Sequence, residues 1–223
     1  PGAVILFSAL GSIDADLRAV DVTLDAMARA SFTVHCAQGQ AHISLPLAGV
    51  HHVGNALAAL AVAVHLGVDL QFAAQALATA PVSQWRSELV DVHGIHVLND
   101  AYNANPTSMI AALDALAAMD LPGRRIAVLG AMAELGPDQD DGHRRVGVHA
   151  SGAVDQIIVV GAGAAGIAAA AREHGATDVT EVDDVAGAIA ALHARKGDGV
   201  LVKASRVAGL ERLVDALASG VPQ

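Results

Sequence analysis

Aromatic side chains are scarce: they make up 2% of the 223 residues, with one tryptophan and one tyrosine, while 53% of the chain is hydrophobic. A core so poor in aromatics must be built from Ala, Val, Leu and Ile, which suits close packing of helices on a sheet and points to an α/β fold. The single cysteine, Cys36, excludes an intrachain disulfide and a cysteine metal cluster, and reads as a small buried hydrophobe in a strand. No lysine or arginine cluster occurs and the formal net charge is −10, so the basic footprint needed for nucleic acid or an anionic membrane is missing. Mean hydropathy is +0.46. Even so, the apolar runs "ALAALAVAV" (56–64) and "IIVVGAGAAGIAAAA" (157–171) are each shorter than the roughly 20 residues of a membrane span, so no membrane insertion is expected. The opening "PGAVILFSALGSIDADL" has no basic n-region and no cleavage-like site in place, and does not read as a signal peptide. A soluble cytoplasmic protein is the expectation.

What is present is a change of pattern near residue 81. Residues 17–47 carry three short strand-like segments, "LRAVDVTLD", "ASFTVHCA" and "AHISLPL", which suggest an antiparallel meander. Helical periodicity follows over 51–67, and a second helix runs from Asp69 as N-cap to Pro81. The stretch from Pro81 to Gln84 reads as a linker. Beyond it strands and helices alternate: "SELVDV", "IHVLNDA", helix 106–119, "RIAVLGA", helix 138–151, "QIIVVG", helix, "DVTEV", helix, "GVLVKAS" and a helix from 207. Such alternation implies parallel βαβ units, with ligands at the carboxyl ends of the strands.

Four segments then share one rim: "NDAYNANP", "GAMAELG", "GAGAAG" and "KASR". The glycines of "GAGAAG" have the grammar of a dinucleotide turn, and Glu181 or Asp183 stands where a ribose-binding acid would fall, so an NAD-dependent oxidoreductase is one alternative. Against it, the motif comes late in the strand order and no second catalytic apparatus follows. A non-catalytic Rossmann-like binding module is another alternative. In "NDAYNANP", Asn105 can cap the following helix and Pro106 suits its first position, but turn and cap do not account for Asp100 and Tyr102. An acid at a strand end can accept hydrogen bonds from ribose hydroxyls.

"GVHHVGNALAALAVA", "NDAYNANPTSMIAALDAL", "RRIAVLGAMAELG" with a following histidine, and "VLVKASRVAGLERLV" together resemble the Mur ligase family, in family order and over nearly the whole chain. Within the family, "YNANP" and "MAELG" resemble the ligases that add D-alanyl-D-alanine to UDP-N-acetylmuramoyl-tripeptide. The resemblance implies that residues 1–81 are the end of a central ATP-binding domain, its antiparallel strands and helices. It also implies that residues 82–223 are a Rossmann-like C-terminal domain with a mostly parallel sheet. It implies an ATP-dependent amide ligase of peptidoglycan precursor synthesis, working through an acyl phosphate with ATP and Mg2+. No G-x-x-x-x-G-K-[ST] string occurs in these residues. The catalytic P-loop lysine, the metal ligands and the uridine-nucleotide domain are therefore expected in missing portions of the same polypeptide, and the chain alone is expected to be inactive.

Residue by residue, the resemblance implies ATP contacts at Asn55, Arg86, Asp100 and Asn103. Asn55 is the second asparagine of an H-N-x-x-N motif whose histidine is His51 and whose first asparagine is replaced by His52. Arg86 is the arginine that meets ATP phosphates, for which a guanidinium fork is suited, although spacing alone reads it as a surface residue opening a strand. Lys203, Ser205 and Tyr102 are implied as substrate contacts, with Lys203 and Ser205 matching a K-G-S segment in which Ala204 replaces glycine. A lysine between "GVLV" and a helix start is costly inside a parallel sheet unless its ammonium reaches a partner. Ala131 stands where the family commonly has an acid. Glu134 and His143 match family positions but read as a solvated glutamate and an ordinary histidine.

Overall fold

The computed structural model describes residues 4–220, so the outermost residues of the two expected domains lie outside the described part. The chain divides into two compact units between Val82 and Ser83. No helix among the described residues is long and apolar enough to cross a membrane.

In the first unit, β1 (Phe7–Ser8), β2 (Leu17–Leu24), β3 (Arg29–Cys36) and β4 (Gly39–Ala48) form a sheet in chain order. β2, β3 and β4 pair antiparallel, whereas β1 pairs parallel to β2. β1 is an addition to the expected meander, since two residues are too few to show a period of two. Along β4, Ala41, Ile43 and Leu45 are buried while His42 and Ser44 are exposed, the alternation of a sheet covered on one face. Helices α1 (His52–His65) and α2 (Leu70–Ala78) supply that cover: Val53, Leu57, Leu60 and Leu70 pack with Phe32, Val34 and Ile43. Asp69 caps α2, its carboxylate accepting the Phe72 N–H at 2.9 Å.

The second unit holds β5 (Glu88–Val92), β6 (Ile95–Asp100), α3 (Pro106–Ala117), β7 (Arg125–Gly130), α4 (Gln139–Ala153) and β8 (Gln156–Val160). α5 (Ala165–Glu173), β9 (Val179–Val182), α6 (Val185–Ala191), β10 (Gly199–Lys203) and α7 (Glu211–Ala218) complete it. The sheet order is β5-β6-β10-β7-β8-β9. All neighbours are parallel except β5 and β6, which form an antiparallel hairpin. That hairpin departs from uniform βαβ alternation because only His93 and Gly94 separate its strands. Both residues have positive φ, 54° and 84°, as a primed two-residue turn requires.

Branched side chains fill the sheet. Val97, Ile126, Val128, Ile158, Val200 and Val202 pack with Val185, Leu192 and Leu213 of the α6–α7 side. The alternate buried residues Leu98, Leu129 and Leu201 face the other way, where α3 lies on β10 and β7 and is followed by α4 and α5. α4 and α5 approach so closely that a Cβ on Gly147 would lie 2.2 Å from the carbonyl oxygen of Ile167.

Candidate functional site

β10 enters the sheet between β6 and β7, and β8 lies on the other side of β7, so all four rim segments leave consecutive strands. At their carboxyl ends Lys203 is in register with Asp100 on one flank and Leu129 on the other. "NDAYNANP", "KASR" and "GAMAELG" therefore leave adjacent strands, with "KASR" in the middle.

The centre of this rim is a buried ion pair. Lys203 has a side-chain exposure of 2%, and its ammonium donates to Asp100 Oδ2 at 2.5 Å and to the Asn103 carbonyl at 2.9 Å, with the Asp100 carbonyl at 3.5 Å. Asp100 Oδ1 accepts the N–H of Ser87 at 3.0 Å. Burial pushes the Lys203 ammonium below its ordinary range; Asp100 opposes that shift by attraction and hydrogen bonding, and the Arg86 charge adds to it. The three N–H donors of Lys203 are thus directed within the chain, which differs from the expected reach toward a dipeptide carboxylate: β10 is central, and its last side chain meets the neighbouring strand end.

Arg86 is exposed, and its guanidinium lies 3.8 Å from the centroid of the Tyr102 ring. Arg206, also exposed, lies 5.0 Å from the Trp85 ring and 5.4 Å from Tyr102, within the range of cation–π attraction. The backbone around Arg86 is strained: Trp85 and Ser87 have φ of 60° and 48°, uncommon for residues with side chains. Four hydrogen bonds hold it so, one of them from the Arg86 N–H to the Ser83 carbonyl at 3.2 Å. Trp85 N–H donates to Glu88 Oε2 at 3.2 Å, Ser87 N–H to Asp100, and Tyr102 N–H to the Trp85 carbonyl at 3.1 Å. Such an over-determined strained turn is the usual setting of a functional side chain, and the side chain it presents is Arg86.

Trp85, Ser87, Glu88 and Arg206 are the members of this cluster that the residue patterns did not single out. A signal was present: the one tryptophan and the one tyrosine of the chain both stand here, each beside an arginine. Asn103 turns its side chain onto the following N–H of Ala104 at 2.8 Å, and Asn105 and Ser108 close a capping box at the start of α3. Asn55 belongs to the first unit, where it is exposed on α1 with its Nδ2 3.4 Å from His52 Nδ1. Burial, with a smaller contribution from His51, lowers the His52 pKa to about 4.

Ser205, 4% exposed, fastens the segment after β7: its Oγ accepts the Ala133 N–H at 2.8 Å and its own N–H donates to the Ala131 carbonyl at 3.0 Å. His143 adds a second tie, its Nε2 accepting the Met132 N–H at 3.0 Å while Nδ1 lies 2.7 Å from the Gln139 carbonyl. These partners assign the proton to Nδ1. Just beyond the ties Glu134 is exposed with φ of 64°. His143 is therefore a support of this loop and not a surface histidine.

The "GAGAAG" segment is organised differently. Gly161 has φ of 83°, a 3-10 turn spans Ala162–Ala164 before α5 begins, and the segment carries no polar side chain. A Cβ on Gly166 would lie 3.2 Å from the Cβ of His143, so this glycine serves packing against α4. Glu181 is paired with Arg172 at 2.5 Å. Among the described residues no group of three His, Cys, Asp or Glu side chains is placed to hold a metal ion.

Residues 85–206 match the family model described as "Mur ligase, glutamate ligase domain". A Mycobacterium tuberculosis UDP-N-acetylmuramoyl-tripeptide--D-alanyl-D-alanine ligase is 42% identical over 91% of this chain and 44% of its own length. The Bacillus subtilis protein of the same name is 37% identical over 78% of this chain and 39% of its own. A crystal structure of MurF from Acinetobacter baumannii superposes with a TM-score of 0.82 at 30% identity, covering 96% of this chain and 46% of that one. The chain thus spans about half the length of the relatives it matches. With the rim built from adjacent β6, β10 and β7, a matched model covering more than half the residues, and this level of identity, the chain belongs to the Mur ligase family.

Proposed function

We propose that this chain is part of an ATP-dependent amide ligase of the cytoplasm that joins D-alanyl-D-alanine to UDP-N-acetylmuramoyl-tripeptide, the two substrates that the names of its relatives print. The observation that carries the proposal is Arg86, an exposed cation on a strained, hydrogen-bonded turn beside the Asp100 carboxylate. ATP supplies the phosphoryl group that activates the acceptor carboxylate, and the D-alanyl-D-alanine amine then displaces phosphate from the acyl phosphate to form the amide.

In this scheme Arg86 neutralises charge on the phosphates, with Tyr102 holding its guanidinium plane. Asp100 retains lone pairs on both oxygens beyond those used by Ser87 and Lys203, and receives the ribose hydroxyls. Asn55, on the first unit, has an exposed amide that offers a donor and an acceptor, the pair that an adenine edge requires. Ser205 keeps its hydroxyl proton free to donate toward substrate while its oxygen holds the Ala133 N–H. The described residues do not by themselves fit Mg2+. The triphosphate-binding loop and the metal ligands are assigned to the remainder of a longer polypeptide.

The test is phosphate release from ATP by the complete polypeptide. Release that requires both UDP-N-acetylmuramoyl-tripeptide and D-alanyl-D-alanine is the expected result. Release indifferent to the dipeptide, or none at all, refutes the proposal.

A further inference from the structure

We infer that Lys203 is a positioning residue for the nucleotide, fixing the Asp100 carboxylate through the buried ion pair, and is not a contact for the incoming dipeptide. The inference rests on the proposed role of Asp100 as ribose acceptor.

Two observations carry it. First, the Lys203 side chain is 2% exposed and its ammonium points at Asp100 Oδ2, the Asp100 carbonyl and the Asn103 carbonyl. An ammonium has three N–H donors and no acceptor, so these partners use its directional capacity. Second, the carboxylate is gripped from both sides. Lys203 holds Oδ2 from β10, and the Ser87 N–H holds Oδ1 from the turn that carries Arg86.

With both oxygens fixed, Asp100 cannot rotate about its terminal torsion, which is otherwise broad. Its remaining lone pairs then point in set directions before any ligand arrives. The same contacts link the acid to the arginine turn, so displacing the ammonium disturbs ribose recognition first and the Arg86 turn second.

The experiment uses the complete polypeptide carrying Lys203→Met, an apolar replacement of similar length that leaves no unpaired cation. Binding constants for ATP and for 2′,3′-dideoxy-ATP are measured alongside the KM for D-alanyl-D-alanine. The expected result is a loss of about tenfold in ATP affinity, equivalent to about 1.4 kcal/mol. Dideoxy-ATP affinity and the dipeptide KM should stay within about twofold. The preference for ATP over its dideoxy analogue thereby shrinks, which general destabilisation does not produce.

A selective rise in the dipeptide KM, or a preference for the ribose hydroxyls that survives in the variant, overturns the inference while leaving ATP use intact. Failure of the unsubstituted protein to bind ATP overturns the functional proposal beneath it. If Lys203→Met does not fold, Lys203→Gln keeps a donor in the same slot and carries the same comparison, with a smaller loss expected.

Discussion

The hydroxyl oxygen of Ser205 accepts the backbone N–H of Ala133 at 2.8 Å, so the segment after β10 holds the segment after β7. Ser205→Ala leaves a half-buried N–H without its partner, which costs about 1–3 kcal/mol. Chemical denaturation of the second unit should show a loss in that range. Because Glu134 stands one residue beyond the tethered N–H, proteolysis within 131–136 should also become faster. A variant as stable and as resistant as the parent would mean that His143 alone holds the loop.

Removing Asp100 strands a buried ammonium. Asp100→Ala is expected to destabilise the second unit by about 3–5 kcal/mol, the usual effect of breaking a buried pair from one side. Adding Lys203→Met should recover most of that loss, since no uncompensated charge then remains. Additive losses in the double variant would show that the 2.5 Å contact carries no coupling.

Arg86 is expected to tolerate lysine poorly. Its planar guanidinium lies over Tyr102, and an ammonium cannot reproduce both the stack and a forked phosphate contact. Arg86→Ala should raise the KM for ATP by about tenfold, about 1.4 kcal/mol, with Arg86→Lys in between. Stability should change little in either case. If the KM for the uridine nucleotide rises instead, the arginine serves another substrate.

The glycines of "GAGAAG" and its neighbourhood should separate by packing. A Cβ on Gly163 meets only the Cβ of Ala131 at 3.4 Å, an ordinary contact, whereas one on Gly147 strikes the Ile167 carbonyl at 2.2 Å. Gly163→Ala is therefore expected to leave stability and ATP use unchanged. Gly147→Ala should cost about 1–3 kcal/mol or more. Titration with NADH, followed by nicotinamide fluorescence, should show no saturable binding. Tight binding abolished by Gly163→Ala would restore the dinucleotide site.

His52 sets an acid limit for the first unit. Its folded pKa of about 4 lies below the ordinary 6.5, so between those values the unfolded chain binds a proton that the folded unit refuses. Stability from the neutral imidazole is complete above 6.5 and is lost as the pH falls toward 4. Replacing it with asparagine, the residue common in the family, should remove that slope. The difference between parent and His52→Asn should amount to about 2 kcal/mol after solvent screening, read by far-ultraviolet circular dichroism in denaturant at several pH values. Parallel curves would place the acid sensitivity elsewhere.

Much of the fold was legible because local chemistry decided it. Asp69 and Asn105 cap helices where side-chain chemistry requires, and Ile43 and Leu45 alternate with exposed residues as a half-buried strand must. Strand order was not legible, since nothing local distinguishes a strand added at an edge from one inserted beside β6 and β7. The placement of β10 is what brings Lys203 to Asp100 across 103 residues of sequence. For the same reason the lysine's need for a partner was readable, but the identity of that partner was not. Trp85 and Ser87 escaped notice because positive φ at residues with side chains leaves no mark in composition. The hairpin turn at His93 and Gly94, by contrast, was available in the two-residue spacing.

Trp85 is the only indole in the chain, half-buried, under the guanidinium of Arg206 and one residue from Arg86. Selective excitation of tryptophan therefore illuminates one spot of the molecule, the turn that leans on Asp100. The first unit contributes no emission of this kind. Occupancy of the rim, displacement of Arg206 and relaxation of the strained turn are each readable as a change in one intrinsic optical signal, without any label being attached.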